Sequence, residues 1–303
     1  MNAPPGLRLE IFQSLWAMQR RQPDGVELDD EAMLGRIVEA GFDGVCIDLS
    51  VTDMATARRL RPLIVRHGLG CTLTAFPARF ADFPEILKLA QELEVRYLDV
   101  ICQIMPVDVA AAVPVLFRLI ELADAAGVDM HLETHRNSLS NDLFAMLQIL
   151  DSVPDLLLSA DLSHYVVGRE FYLPLPAVTQ GHILRLLDRA ESFQGRIASN
   201  QQIQLPVAFP QHKPWLDLFL GWWETGFRLW RRHRADRPGR VLNFLCELGP
   251  AEYAMTGADG WELSDRWADA LVLRDHARAI WSRLERDDRD GATGPAAAGG
   301  DVP

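Results

Sequence analysis

VDMHLET (Val128–Thr134) and LLLSADLSH (Leu156–His164) decide how this chain reads. Each is a short apolar run carrying an acid near its end, Glu133 in the first and Asp161 in the second. Two later runs finish alike: SFQGRI carries Gln194, and NFLCELGP carries Glu247. A carboxylate in a segment that otherwise reads as a buried strand is costly unless a cation or a hydrogen-bonding partner meets it. Strand ends converging on one point are how a parallel α/β barrel assembles a metal or catalytic site. The four positions therefore predict an enzyme.

Outward from these runs, short β-rich segments alternate with longer helical ones. The pattern predicts strands at Leu7–Trp16, Gly44–Ser50, Leu69–Phe76, Val95–Cys102, Val128–Thr134, Leu156–His164, Gly195–Ser199 and Val241–Leu248. Helices fill the intervals, and a last one spans about Asp265 to Leu284. Ser140 or Asn141 is the expected N-cap of the helix after the fifth strand. Gly41, Gly68, Gly127 and Gly195 are expected to cap helix C-termini before the next strand. Eight strand–helix units imply parallel pairing through βαβ crossovers and close into a ring without exposed edges. The expected fold is α/β, a single (β/α)8 TIM barrel over residues 1–285. The chain of 303 residues accommodates the roughly 250 that such a barrel needs. The stretch 286–303, rich in Asp, Gly, Ala and Pro, has nothing to pack and is expected to be a disordered tail.

A hydrophobic fraction of 49% and a charged fraction of 24% are those of a soluble globular protein. The net charge of −12 argues against sequence-independent nucleic-acid binding, which needs a basic footprint. No run of about 18 apolar residues is present, so no membrane span is expected. MNAPPGLRLEIF has no basic segment followed by an apolar one, so the expected compartment is the cytoplasm. Cys46, Cys71, Cys102 and Cys246 lie in apolar runs without metal-binding spacing and read as buried, reduced thiols. The helix holding Trp215, Trp222, Trp223 and Trp230 reads as an outer barrel helix, and its tryptophans make a homo-oligomeric contact plausible.

At the strand ends, Glu133, Asp161 and Glu247 offer the carboxylate oxygens that hard divalent cations prefer. His131 and His135 flank Glu133, and on a strand all three share one face. His164, three residues after Asp161, is a candidate hydrogen-bond donor to a substrate oxygen or an acid–base residue. Arg196, two residues after Gln194, is suited to a hydroxyl, carboxylate or phosphate.

The motifs ETHRNS (Glu133–Ser138), DLSHYVVGRE (Asp161–Glu170) and CELGPAEY (Cys246–Tyr253) resemble those of the xylose isomerase-like TIM-barrel superfamily, and more narrowly of the sugar phosphate isomerases/epimerases. The resemblance covers about residues 7–284. It implies a divalent-metal site of Glu, Asp, His and Glu from strands five to eight, which maps onto Glu133, Asp161 and Glu247. It also implies that Glu133 and Glu247 act as paired acid–base groups, and that His164 and Arg196 contact the substrate; His135 is a further candidate for substrate binding. One departure stands out: the strand-seven histidine of the family is Gln194 here. Gln194 could be a weaker ligand, water could replace it, Gln202 or His212 could substitute from the loop, or the metal could be lost.

The leading expectation is a sugar isomerase or epimerase acting through an enediolate on a ketose or keto-sugar, with Mn²⁺ foremost and Mg²⁺, Co²⁺ or Zn²⁺ as alternatives. The same site could instead expel a β-substituent, as a lyase or deglycosidase on an oxidised glycoside. A non-catalytic sugar-binding or partner subunit with a weakened metal site is the third reading.

Overall fold

The computed structural model describes residues 6–21 and 25–292. Its centre is a closed parallel ring of eight strands: β1 (Arg8–Ser14), β2 (Gly44–Asp48), β3 (Gly70–Ala75), β4 (Leu98–Val100), β5 (Met130–Glu133), β6 (Leu158–Ala160), β7 (Ala190–Gln194) and β8 (Val241–Cys246). β8 closes on β1 in continuous register from Arg8↔Val241 to Gln13↔Cys246. Around it lie α1 (Asp30–Glu39), α2 (Met54–Arg66), α3 (Phe83–Leu93), α4 (Val109–Ala126), α5 (Leu143–Ser152), a short α6 (Ser163–Gly168), α7 (Ala177–Leu187), α8 (Lys213–His233) and α9 (Arg266–Ala292). The expected (β/α)8 barrel is present.

Aspartates start four of these helices: Asp29, Asp53, Asp108 and Asp142 each accept a hydrogen bond from the backbone N–H three residues on. The carboxylate satisfies one of the first-turn donors and suits the positive end of the helix dipole. At the other ends, Gly41, Gly68 and Gly127 take left-handed φ angles of 75°, 69° and 65°, as helix-terminating glycines do.

Alternation along the strands divides the buried residues between two layers. One set faces the helices: Phe193 packs edge-on to Phe227 of α8 at 5.2 Å, and Phe244 to Trp223 at 5.1 Å. The alternate set faces the ring interior and is largely polar, with Thr72, Thr74, Asp99, His131, Glu133, Ser159, Ser192, Gln194 and Asn243 all buried. Among the described residues Phe12, Cys46 and Leu245 form a small apolar plug apart from the main core. A barrel lined this way needs partners for its interior, and several are visible. His131 stacks on Tyr97 at 4.4 Å, and its Nδ1 lies 2.9 Å from Ser192 Oγ.

Several expectations are corrected. The seventh strand is Ala190–Gln194, not Gly195–Ser199. Its Glu191 disguised it as polar sequence, but Trp230 Nε1 donates to that carboxylate at 3.1 Å and Arg234 pairs with it. Gly195 therefore follows a strand and caps no helix. A Cβ there would stand 2.6 Å from the Phe244 ring and 3.1 Å from the Leu245 carbonyl oxygen. The N-cap of α5 is Asp142; Ser140 Oγ instead donates to the Glu133 carbonyl and accepts from His135 N–H at 3.0 Å. β6 stops at Ala160, so His164 belongs to the first turn of α6 rather than to a strand. The last helix runs on to Ala292, past the expected start of the tail, because α8 supplies cations to it: Arg231 Nε donates to Asp288 at 2.9 Å, and Arg228 stands 3.6 Å from Asp287. Residues 293–303 of that expected tail lie outside the described residues.

Among the described residues no helix is long and apolar enough to cross a membrane. All four cysteines are free and buried, as expected. Burial pushes the Cys71 thiol up to about 12 and Cys102 to about 11, with Cys46 and Cys246 also well above the ordinary thiol range.

Candidate active site at the mouth of the barrel

Glu133 ends β5, Asp161 follows β6 by one residue, Gln194 ends β7 and Glu247 follows β8 by one residue. Carboxylate oxygens of Glu133, Asp161 and Glu247 lie within 4.8 Å of one another, and all three side chains are buried. The trio expected from the sequence does meet. Glu133, His135 and His164 form a second overlapping group of the same dimensions.

Each acid is held differently. Asp161 Oδ1 accepts from Ser163 N–H at 2.9 Å and from the Ser163 hydroxyl. Its Oδ2 lies 3.1 Å from Arg196 Nη2 and 3.4 Å from His164 Nε2. The same Arg196 Nη2 donates to Glu247 Oε2. Arg196, fully buried and two residues beyond β7, thus bridges two of the three carboxylates. Gln194 Nε2 donates to Asp99 Oδ2 at 2.8 Å, to Ser159 Oγ at 3.1 Å and, more weakly, to Glu133 Oε2 at 3.4 Å. Asp99 of β4 is a site residue that sequence reasoning missed. Its signal was an acid inside the apolar run YLDVIC, the same signal that exposed the others.

Crowding and burial move the proton affinities. Glu133 is raised well above the usual carboxyl range by burial, then by the charges of Asp99 and Glu247. Burial lifts Glu247 to about 8, against the pull of Arg196, and Asp99 to about 7. Burial also pushes His135 down to about 4 and His164 well below its ordinary value. Near neutrality the pocket therefore holds carboxyls poised to take or give a proton beside neutral imidazoles, the condition acid–base chemistry needs.

The donor set suits a hard cation. Glu133 Oε1 and Gln194 Oε1 are buried acceptor oxygens with no hydrogen-bond donor, and Asp161 Oδ2 is met only by its ion-pair contacts with Arg196 and His164. Without a cation, burial keeps Glu133 and Glu247 largely protonated; an ion that displaced those protons would meet three converging carboxylates beside a single guanidinium. Oxygen-only ligation favours Mg²⁺ or Mn²⁺ over softer ions. The loop candidates do not join in. Gln202 is exposed, while His212 is tied to the Pro206 carbonyl at 2.8 Å and stacked on Phe209. His131 also stays apart, deep in the ring on Tyr97.

No protein-family model and no curated protein sequence matches the chain. Solved structures match it over nearly all its length. A xylose isomerase-like TIM barrel protein from Mycobacterium smegmatis, in complex with magnesium, aligns with a TM-score of 0.59 at 14% identity, over 91% of this chain and 98% of the other. The chain shares its (β/α)8 barrel fold with that protein. An L-ribulose 3-epimerase aligns at 0.56 and 18% identity, over 96% of this chain and 100% of the other. A D-allulose 3-epimerase from Methylomonas sp., in complex with D-allulose, aligns at 0.55 and 15% identity, over 93% and 99%.

In this barrel the rim above the acids is aromatic and basic. Tyr253, in the loop after β8, packs edge-on against Trp16 of the loop after β1 at 5.1 Å. Gly249 allows that approach, since a Cβ there would stand 2.3 Å from the Trp16 ring. The guanidinium carbons of Arg196 and Arg136 lie 4.8 and 5.1 Å from the Tyr253 ring centroid. The His135 and His164 rings lie 3.9 Å apart beside them, inclined by 48°. Tyr253 and Arg136 were not singled out from sequence, because neither sits at a strand end.

Proposed function

We propose that this protein is a sugar isomerase or epimerase dependent on a hard divalent cation, Mn²⁺ or Mg²⁺. The convergence of Glu133, Asp161 and Glu247 within 4.8 Å carries this reading. Those three residues and Gln194 would hold the ion. When bound, it polarises a carbonyl–hydroxyl pair of the sugar and acidifies the C–H between them.

The remaining steps belong to the chain's own groups. One of the pair Glu133 and Glu247 removes the proton from that carbon, leaving an enediolate. The other returns a proton to the opposite face of the same carbon, which is epimerisation, or to the neighbouring carbon, which is isomerisation. Raised proton affinities suit both tasks. His164, kept neutral by burial, donates to a substrate oxygen; His135, whose Nδ1–H is given to the Arg136 carbonyl, accepts from a substrate hydroxyl through Nε2; and Arg196 stabilises developing oxyanion charge.

The experiment has two arms. Mn²⁺ added to metal-stripped protein should raise its melting temperature by mass action. A panel of ketoses and keto-sugars in D₂O should show exchange at the reacting carbon with at least one member. Glu133→Gln or Glu247→Gln should slow that exchange by about 10²–10⁴-fold, the usual share of one acid–base group. Absence of exchange with every sugar that binds would end the proton-transfer reading. The Arg196 bridge to Asp161 and Glu247 favours a second reading, a sugar-binding barrel whose guanidinium serves in place of the ion. No metal uptake together with sugar binding would select it.

A further inference from the structure

The rim carries a guanidinium, that of Arg136, which the proton transfers leave unused. Most arginines on the outside of the barrel are paired with acids, as Arg228 is with Glu224 at 3.2 Å and Arg61 with Glu94 at 2.8 Å. Arg136 is not. It is half-buried in the loop after β5, and among the described residues no carboxylate pairs with it; its guanidinium lies over Tyr253 instead. Arg196 reaches the same ring, and its Nε and Nη1 are buried N–H donors without an acceptor. Both ring nitrogens of the buried His164 also lack a hydrogen-bond partner.

The mouth is therefore polarised. Acceptor oxygens crowd the floor, at the strand ends, and guanidinium donors gather at the rim around Tyr253. A neutral sugar is served by hydroxyl and amide groups; it gives Arg136 no countercharge, and it leaves Nε and Nη1 of Arg196, whose Nη2 already meets Asp161 and Glu247, without an anionic acceptor. An ionised carboxylate or phosphate supplies it, with charge-assisted hydrogen bonds about twice as strong as neutral ones. The chain as a whole carries a net charge of −12, so this basic island is local and set against the bulk field.

We infer that the substrate is an anionic sugar derivative whose carboxylate or phosphate group is held at the rim by Arg136 and Arg196 beside Tyr253. This rests on the isomerase reading for the reacting end of the molecule. It adds Arg136 as the residue that sets charge preference.

The test compares three six-carbon ketoses on the Mn²⁺-loaded protein by isothermal titration: neutral D-fructose, D-fructuronate for the carboxylate, and D-fructose 6-phosphate for the phosphate ester. At least one anionic sugar should bind about tenfold or more tighter than D-fructose, which corresponds to about 1.4 kcal/mol. The gap should narrow in added sodium chloride, since partly exposed charges are screened. Whichever anion binds tighter identifies the group recognised. Arg136→Gln should remove most of the gap, and Arg136→Lys, which keeps the charge, should retain part of it. Equal affinities for all three sugars, or a gap that survives in Arg136→Gln, would overturn the inference. If Arg136→Gln fails to fold, the salt dependence of the wild type and the Arg136→Lys value still decide. D₂O exchange separates the two levels. Exchange on D-fructose without any anion preference sinks this inference alone, whereas anion preference without exchange sinks the isomerase reading alone.

Discussion

At the scale of single residues, Gln194 does two jobs with one amide. Its nitrogen ties down Asp99 and Ser159 across the ring, while its oxygen is left as a buried acceptor facing no donor. That oxygen makes the donor set wholly hard, so the choice of ion turns on this side chain. Gln194→His in metal-stripped protein should bind Zn²⁺ or Co²⁺ about tenfold tighter or more, because imidazole suits those ions better than an amide oxygen. Its Mg²⁺ affinity should not rise. Calorimetric titration checks both, and an unchanged Zn²⁺ affinity would remove Gln194 from the ligand set. The four strand-end positions were legible in sequence because an acid or amide in an apolar run has few structural excuses. Asp99 obeyed the same logic but lies in the middle of its run, and strand ends attract the eye. Arg136 and Tyr253 come from loops, where residue type alone carries no positional information.

At the scale of elements, the site depends on how β7 passes into its loop. Gly195 joins Gln194 to Arg196, and its missing side chain leaves room for the Phe244 ring. Gly195→Ala should cost about 1–3 kcal/mol, the usual penalty of forcing extra bulk into a packed interior. The urea midpoint measures it. A midpoint equal to wild type would mean that the Phe244 ring yields without strain. The count and order of strands were readable because the alternation of short β-rich and longer helical segments survives local irregularity. The bounds of β7 were not, since Glu191 looks like a surface residue until Trp230 and Arg234 of α8 appear around it. The N-cap of α5 was misplaced for a related reason. Ser140 has the right chemistry for a cap, but the Glu133 carbonyl claims its hydroxyl.

At the scale of the whole molecule, a polar barrel interior links stability to pH. Burial pushes the His131 ring down to about 3, against an unfolded value of 6.5. Below pH 6.5 the unfolded chain therefore takes up a proton that the folded chain refuses. The contribution of His131 is undiminished above pH 6.5 and is lost as the pH falls, at about 1.4 kcal/mol per unit. Glu133, Glu247 and Asp99 have raised folded values, so in the metal-free protein they act in the opposite sense, favouring the fold as pH falls. The difference between wild type and His131→Gln isolates the histidine. Measured by urea unfolding from pH 7.5 to 5.0, the wild type should lose ground to the variant only below about pH 6.5. Parallel curves would show that His131 is protonated in the fold.

The four thiols have a consequence of their own. Cys46, Cys71 and Cys246 sit on three different staves of the ring, and Cys102 lies just beyond a fourth. None presents a reactive thiolate while the staves stay joined. An alkylating reagent can consume them only when the barrel breathes, so the sulfurs act as an internal clock for spontaneous opening, one that any molecule seated in the mouth would slow.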